Sequence, residues 1–153
     1  MLKLSLPRLL LFTFFASVHL ITPTKVLAED DEKHPIERTM DDCMENNTST
    51  SGMQKCATVA IEQWEVELNR IYNALIGKLD KEGKEKLKTT QFLWIKHRDA
   101  EFETINSVYS VAEREMGGGT LWKLTPLIAK VEIVKNRTLE LTRYLNDFRP
   151  EEN

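Results

Sequence analysis

Apolar residues recur along this chain at steps of three and four, and that spacing admits little besides long helices packed side by side. The strongest run is Ala57, Ile61, Trp64, Leu68, Ile71, Leu75 and Leu79, with Glu65, Asn69, Tyr72 and Ile76 on the flank beside it. A second stripe follows at Leu87, Gln91, Trp94, Arg98, Phe102, Ile105, Tyr109 and Ala112. A third runs through Leu124, Ile128, Val131, Val134, Thr138, Leu141, Leu145 and Phe148. No run alternates with period two, so strands are not expected. The fold class is therefore all-α: an antiparallel helical bundle of three long helices plus a short N-terminal one.

The second stripe places an amide and a guanidinium among residues that should face a core. A buried polar group left unpaired costs about 1 to 3 kcal/mol, and a buried charge costs more, so Gln91 and Arg98 must find partners. The segment Glu65 to Tyr72 on the preceding helix is the nearest source of them. Glu65, Asn69, Tyr72, Gln91, Arg98, Glu101 and Arg137 are accordingly expected to form a polar network that fixes the register of the helices. Catalysis is a poorer reading of the same residues, because a general acid needs a cleft and a shifted pKa and the pattern offers neither.

Helix boundaries follow from caps and breakers. Pro35 suits the first turn of a short helix carrying Ile36, Met40, Cys43 and Met44, which ends in the polar loop Asn47 to Gly52. Ser51 with Gln54 reads as a capping box opening a helix to about Leu79. Asp80 to Gly83 is expected to turn the chain, and the third helix to run from about Lys84 to Glu115. Gly117-Gly118-Gly119 stops it. Thr120 then caps the last helix, with Pro126 kinking its first turns, or Thr125 caps it with Pro126 at the first position. Both readings stay open.

At the start of the chain Lys3 and Arg8 precede an apolar run from Leu9 to Ile21, and Val26-Leu27-Ala28 supplies the short residues a signal peptidase reads. Residues 1–28 are expected to be a signal peptide and 29–34 a flexible charged tail, with the helical domain over 35–149. The run is too short and too interrupted to span a bilayer core of about 30 Å, so no membrane insertion is expected after cleavage. Cleavage removes Lys3, Arg8 and Lys25 and no acid, which moves the formal charge from −3 to −6. An acidic chain of this kind excludes nucleic acid and anionic lipid as natural partners and suits a cationic protein. In an exported chain Cys43 and Cys56 are expected to be bonded, closing a loop of about 14 residues worth about 3 kcal/mol. An oxidised cystine neither ligates metal nor attacks a substrate. His34 and His97 match no metal-ligand spacing, so no metal or cofactor is expected.

Glu65-x-x-Leu68-Asn69-x-x-Tyr72, Gln91-x-x-Trp94-Ile95-x-x-Arg98-Asp99-x-Glu101, Gly117-Gly118-Gly119-Thr120 and Arg137-x-x-x-Leu141 occur in the order found in the LprI N-terminal family. Across about Asp42 to Leu145 the chain resembles these small secreted bacterial proteins, named for a lysozyme inhibitor lipoprotein. The resemblance implies a periplasmic or secreted binding protein, not an enzyme, that inhibits lysozyme by steric occlusion. The same surface would serve an envelope-stress or protein-interaction module. No lipoprotein box precedes Cys43, so the product is expected to be unlipidated. Members often carry a second cysteine pair, at places that here hold Phe102 and Ala129. Bundle faces are convex, so an element that enters a cleft should be a loop. The candidates are Asn47 to Gly52 and Met116 to Trp122, with Gly118, Thr120, Leu121 and Trp122 as contact residues.

Overall fold

The computed structural model describes residues 33–148. The expected signal peptide and most of the expected tail lie outside them. The described residues make up one compact unit. It contains four helices and, among the described residues, no strand: α1 (Pro35–Asn46), α2 (Thr50–Lys78), α3 (Lys81–Glu115) and α4 (Leu121–Asn146).

Consecutive helices run antiparallel, but the pair that makes the core does not. Gln54 near the start of α2 donates to the Lys123 carbonyl near the start of α4, and Thr138 Oγ1 reaches the Trp64 carbonyl further along both. The helices α2 and α4 therefore run parallel, with α3 carrying the chain back between them. Their shared seam holds Ala57, Ala60, Trp64, Leu68, Ile71 and Leu75 against Val131, Val134 and Leu141. Ala57 and Ala60 are fully buried, and their small side chains let α4 close on α2. Trp64 is the largest buried side chain, and truncating it to alanine should cost about 3 to 5 kcal/mol.

The α2 stripe is thus buried in the register its spacing predicts. Helix α3 departs from expectation. Its stripe faces inward, yet Gln91 is its one fully buried residue, and α3 leans on α4 while barely meeting α2. The physical reason is in the stripe itself: Trp94, Arg98 and Tyr109 carry polar tips that favour a half-buried seat over full burial.

Several ends also move. Ser49, not Ser51, caps α2, with its hydroxyl accepting from Gly52 N–H at 3.0 Å, and Gln54 is drawn away to α4. The loop before it shrinks to Asn47, Thr48 and Ser49. Asp80 caps α3 by accepting from Gly83 N–H at 2.8 Å, so the helix begins at Lys81, inside the segment expected to turn. Helix α4 starts at Leu121 and runs through Pro126, with no side-chain cap from Thr120. The expected tail ends earlier than residue 34. His34 caps α1, its Nδ1 accepting from Ile36 N–H while Glu37 accepts from His34 N–H. The His34 ring also lies 4.4 Å from the ring of Trp64.

The Cys43–Cys56 disulfide is formed, with Cα atoms 5.7 Å apart, and ties α1 to the first turns of α2. At the other end Lys135 Nζ donates to Glu37 at 2.9 Å and to Glu132 at 3.1 Å, joining α4 to α1. Burial works against a charged lysine here, but the two carboxylates outweigh it and hold the Lys135 pKa above its ordinary value.

Candidate functional site

Two places carry chemistry beyond packing: the polar pairs between α2, α3 and α4, and the loop joining α3 to α4.

The polar pairs centre on Trp94. Arg137 is 6% exposed; its Nε donates to Gln91 Oε1 at 3.0 Å and its Nη1 to Glu140 Oε2 at 2.6 Å. Its Nη2 is buried and has no hydrogen-bond partner. Arg98 Nη1 meets Glu65 Oε1 at 3.3 Å, while its Nε and Nη2 both donate to Asp99 Oδ1. Both guanidiniums lie against the Trp94 ring, at 5.5 Å for Arg98 and 5.9 Å for Arg137. Glu140 would be pushed up by burial, but the Arg137 hydrogen bond and charge, helped by Tyr144 O–H, keep its pKa below the usual carboxylate value.

Four of the seven expected residues take part through direct bonds, Glu65 with Arg98 and Gln91 with Arg137, and the Trp94 ring lies between the two pairs. Asn69 is exposed on α2 and takes no part. Tyr72 packs against the core as an apolar neighbour, and Glu101 is half-buried without a hydrogen bond among the described residues. Helix spacing placed those three in the network, but Asn69 faces solvent, Tyr72 is taken up by the core, and α3 meets α2 at few points. Glu140 was missed, although its position three residues after Arg137 is the ordinary spacing of a helical ion pair.

The arrangement has the character of a brace. Arg98 to Glu65 ties α3 to α2 and Arg137 to Gln91 ties α4 to α3, while Asp99 and Glu140 balance the two guanidiniums from their own helices. The best-formed recess elsewhere, about 160 Å³ beside the disulfide, is lined by Met40, Val59 and Ala60 with no carboxylate or histidine among its neighbours.

The loop is different. Met116 ends α3, and Gly118 N–H returns to the Glu113 carbonyl at 2.7 Å, closing the helix. Gly117, Gly118 and Gly119 all have positive φ, at 79°, 77° and 133°, a sequence of angles that residues with a Cβ resist. The result is a protruding bend with an apolar tip. Met116 is 69% exposed and Leu121 66%, and Thr120 is exposed between them. Trp122 is half-buried. It sits 6.4 Å from the Tyr109 ring and roots the loop against α3. The other candidate loop, now three polar residues, presents no such tip: Asn47 turns back to the Cys43 carbonyl and Ser49 is spent as a cap.

Fold and site together define a small disulfide-stapled helical protein with a polar brace between its helices. The profile described as Lysozyme inhibitor LprI matches residues 43–141, and the chain belongs to that family. Its fold is also that of an uncharacterized protein from Burkholderia thailandensis, known from a crystal structure, with a TM-score of 0.66 at 23% identity. The match covers 75% of this chain and 55% of that one, so this chain spans about half the length of its structural neighbour. No curated protein matches the chain at a significant level.

Proposed function

We infer that this protein inhibits lysozyme by seating the Met116–Trp122 loop in the enzyme's substrate cleft. The observation that carries the reading is the loop itself: three consecutive positive-φ glycines set two strongly exposed apolar side chains, Met116 and Leu121, at the end of a rigid helix. A glycosidase cleft that holds two catalytic carboxylates is concave and accepts such a protrusion, whereas a convex helix face would not enter it. The net acidity of the chain, formally −3, favours approach to a cationic enzyme. Family membership supports the same target. The basic and then apolar start of the chain supports export to the compartment where lysozyme acts.

The test is turnover of peptidoglycan by several lysozyme types with the chain in micromolar excess, at low and high salt, beside Leu121→Asp. Inhibition by the parent that weakens with salt and is lost in Leu121→Asp supports the reading. Full activity of every lysozyme in the presence of the parent chain overturns it.

A further inference from the structure

Helix α3 has a second stripe that no other described element covers. Beginning at Lys86 it passes through Thr90, Leu93 and His97, reaches Ala100, and continues through Thr104, Val108 and Val111 to Glu115. Every one of these residues is exposed, at steps of three and four, on the side of α3 turned away from its seam with α4. Leu93 is 59% exposed, Val108 56% and Val111 47%. The two threonines are less polar than they look. Thr90 Oγ1 donates to the Lys86 carbonyl and Thr104 Oγ1 to the Ala100 carbonyl, so their methyl groups face outward and their hydroxyls are already satisfied.

The charges on this helix are segregated. Among its exposed residues, Lys81 to Arg98 holds four basic (Lys81, Lys86, Lys88, Lys96) against two acidic (Glu82, Glu85), and Asp99 to Glu115 three acidic (Asp99, Glu103, Glu115) against one basic (Arg114). A partner that matches this surface must be acidic beside the first half and basic beside the second. The same helix, reversed, has that pattern.

We propose that α3 pairs antiparallel with α3 of a second copy of this chain, about a two-fold axis beside Ala100. In that register Lys86 lies opposite Glu115 of the second copy, Leu93 opposite Val108, and Thr90 opposite Val111. Each contact occurs twice. The small Ala100 at the axis lets the helices approach, and the extra step of four at Thr104 to Val108 keeps the stripe in phase on both sides of it. On the rim, Lys96 comes beside Glu103 of the second copy. Lys86 is held in the single chain only by an exposed pair with Glu82 at 2.6 Å, which does not prevent it from reaching a new partner. The contact runs about 44 Å along the helix at ~1.5 Å per residue, and it leaves the Met116–Trp122 loops free at opposite ends. Glu101, half-buried and off the stripe, is the one like-charged neighbour across the axis and keeps the pair from being tight.

Sedimentation equilibrium of the chain lacking its first 28 residues, which lie outside the compact unit, tests this at roughly 100 µM, where a micromolar Kd is saturated. A dimer is expected. Lys86→Glu should weaken it roughly tenfold or more, and Lys86→Glu with Glu115→Lys should restore it, because the swap rebuilds both end pairs. Direction is read by oxidative cross-linking: Leu93→Cys with Val108→Cys links two chains, while each single variant does not. Helical melting of every variant is recorded, and these exposed positions should leave it unchanged. A monomer at that concentration, or self-linking of the single Leu93→Cys variant, overturns the proposal.

Discussion

Replacing Gln91 by leucine tests the brace between α3 and α4 without changing its volume much. In the folded chain Gln91 Oε1 is the acceptor for Arg137 Nε, and both side chains are more than nine-tenths buried. Arg137 already has one buried nitrogen without a partner. Loss of a hydrogen bond to a buried charged group costs about 1.5 to 3 kcal/mol, and leucine leaves Arg137 tied only to Glu140. Gln91→Leu should therefore destabilise by about 2 to 3 kcal/mol, which lowers Tm by roughly 8 to 12 °C for a domain of this size. Arg137→Met removes the charge along with its unmet nitrogen and should cost less, since a buried ion pair is often no better than an apolar fill. The double variant leaves neither a stranded donor nor a stranded acceptor at that seam. Its cost should fall short of the sum of the singles by about 1 to 2 kcal/mol. Urea unfolding of the four proteins measures the cycle. Additive costs, or a Gln91→Leu protein as stable as the parent, would show that the guanidinium is adequately solvated and that the brace does not exist.

Reduction of Cys43–Cys56, or Cys43→Ser with Cys56→Ser, should cost about 3 kcal/mol, read as a lower urea midpoint with α1 exchanging its amide hydrogens first. Gly118→Ala should destabilise by about 1 kcal/mol through its φ of 77° alone, since nothing lies within 4 Å of the added methyl. Gly77→Ala, also open and in the last turn of α2, should stabilise by about 0.5 kcal/mol, and equal signs for the two glycines in thermal melts would contradict the backbone argument. Glu140 has a lowered pKa, burial being outweighed by Arg137, so its contribution is complete above about pH 4.3 and lost as pH falls through the lower folded value. Lys135 is raised, burial being outweighed by Glu37 and Glu132, so its contribution is complete below about pH 10.4 and lost as pH rises through the higher folded value. Glu140→Gln should flatten the acid limb of the stability profile and Lys135→Met the alkaline limb.

Helix α2 was legible because a long stripe of wholly apolar side chains has one stable seat, and Ala57 to Leu75 occupy it. Helix α3 was legible as a helix, but its depth was not. A stripe of Trp, Tyr, Phe and Arg reads the same whether a helix is enclosed or only leans on a neighbour, and the difference lies in how closely α2 and α4 meet through Ala57 and Ala60. Caps were misplaced where two candidates compete locally: Ser49 and Ser51 both suit α2, and Gly83 looks like a breaker although its N–H is what Asp80 takes. The capping box from His34 to Glu37 had a sequence signal in the acid three residues on. The Lys135–Glu37 pair had none, being set by how α1 packs on α2 within reach of a long side chain from α4. The glycine loop was found from sequence, yet the roles within it shifted: Trp122 anchors, while Met116 and Leu121 project.

The central claim is that this chain blocks lysozyme by filling its cleft with the Met116–Trp122 loop. Calorimetric titration of the chain into a lysozyme that it inhibits, with the cleft empty and then saturated by a soluble oligosaccharide, tests occlusion directly. The account predicts heat of binding to the empty enzyme, its loss when the saccharide fills the cleft, and its loss with Leu121→Asp at an unchanged melting temperature. Equal affinity for the empty and saccharide-filled enzyme would contradict it.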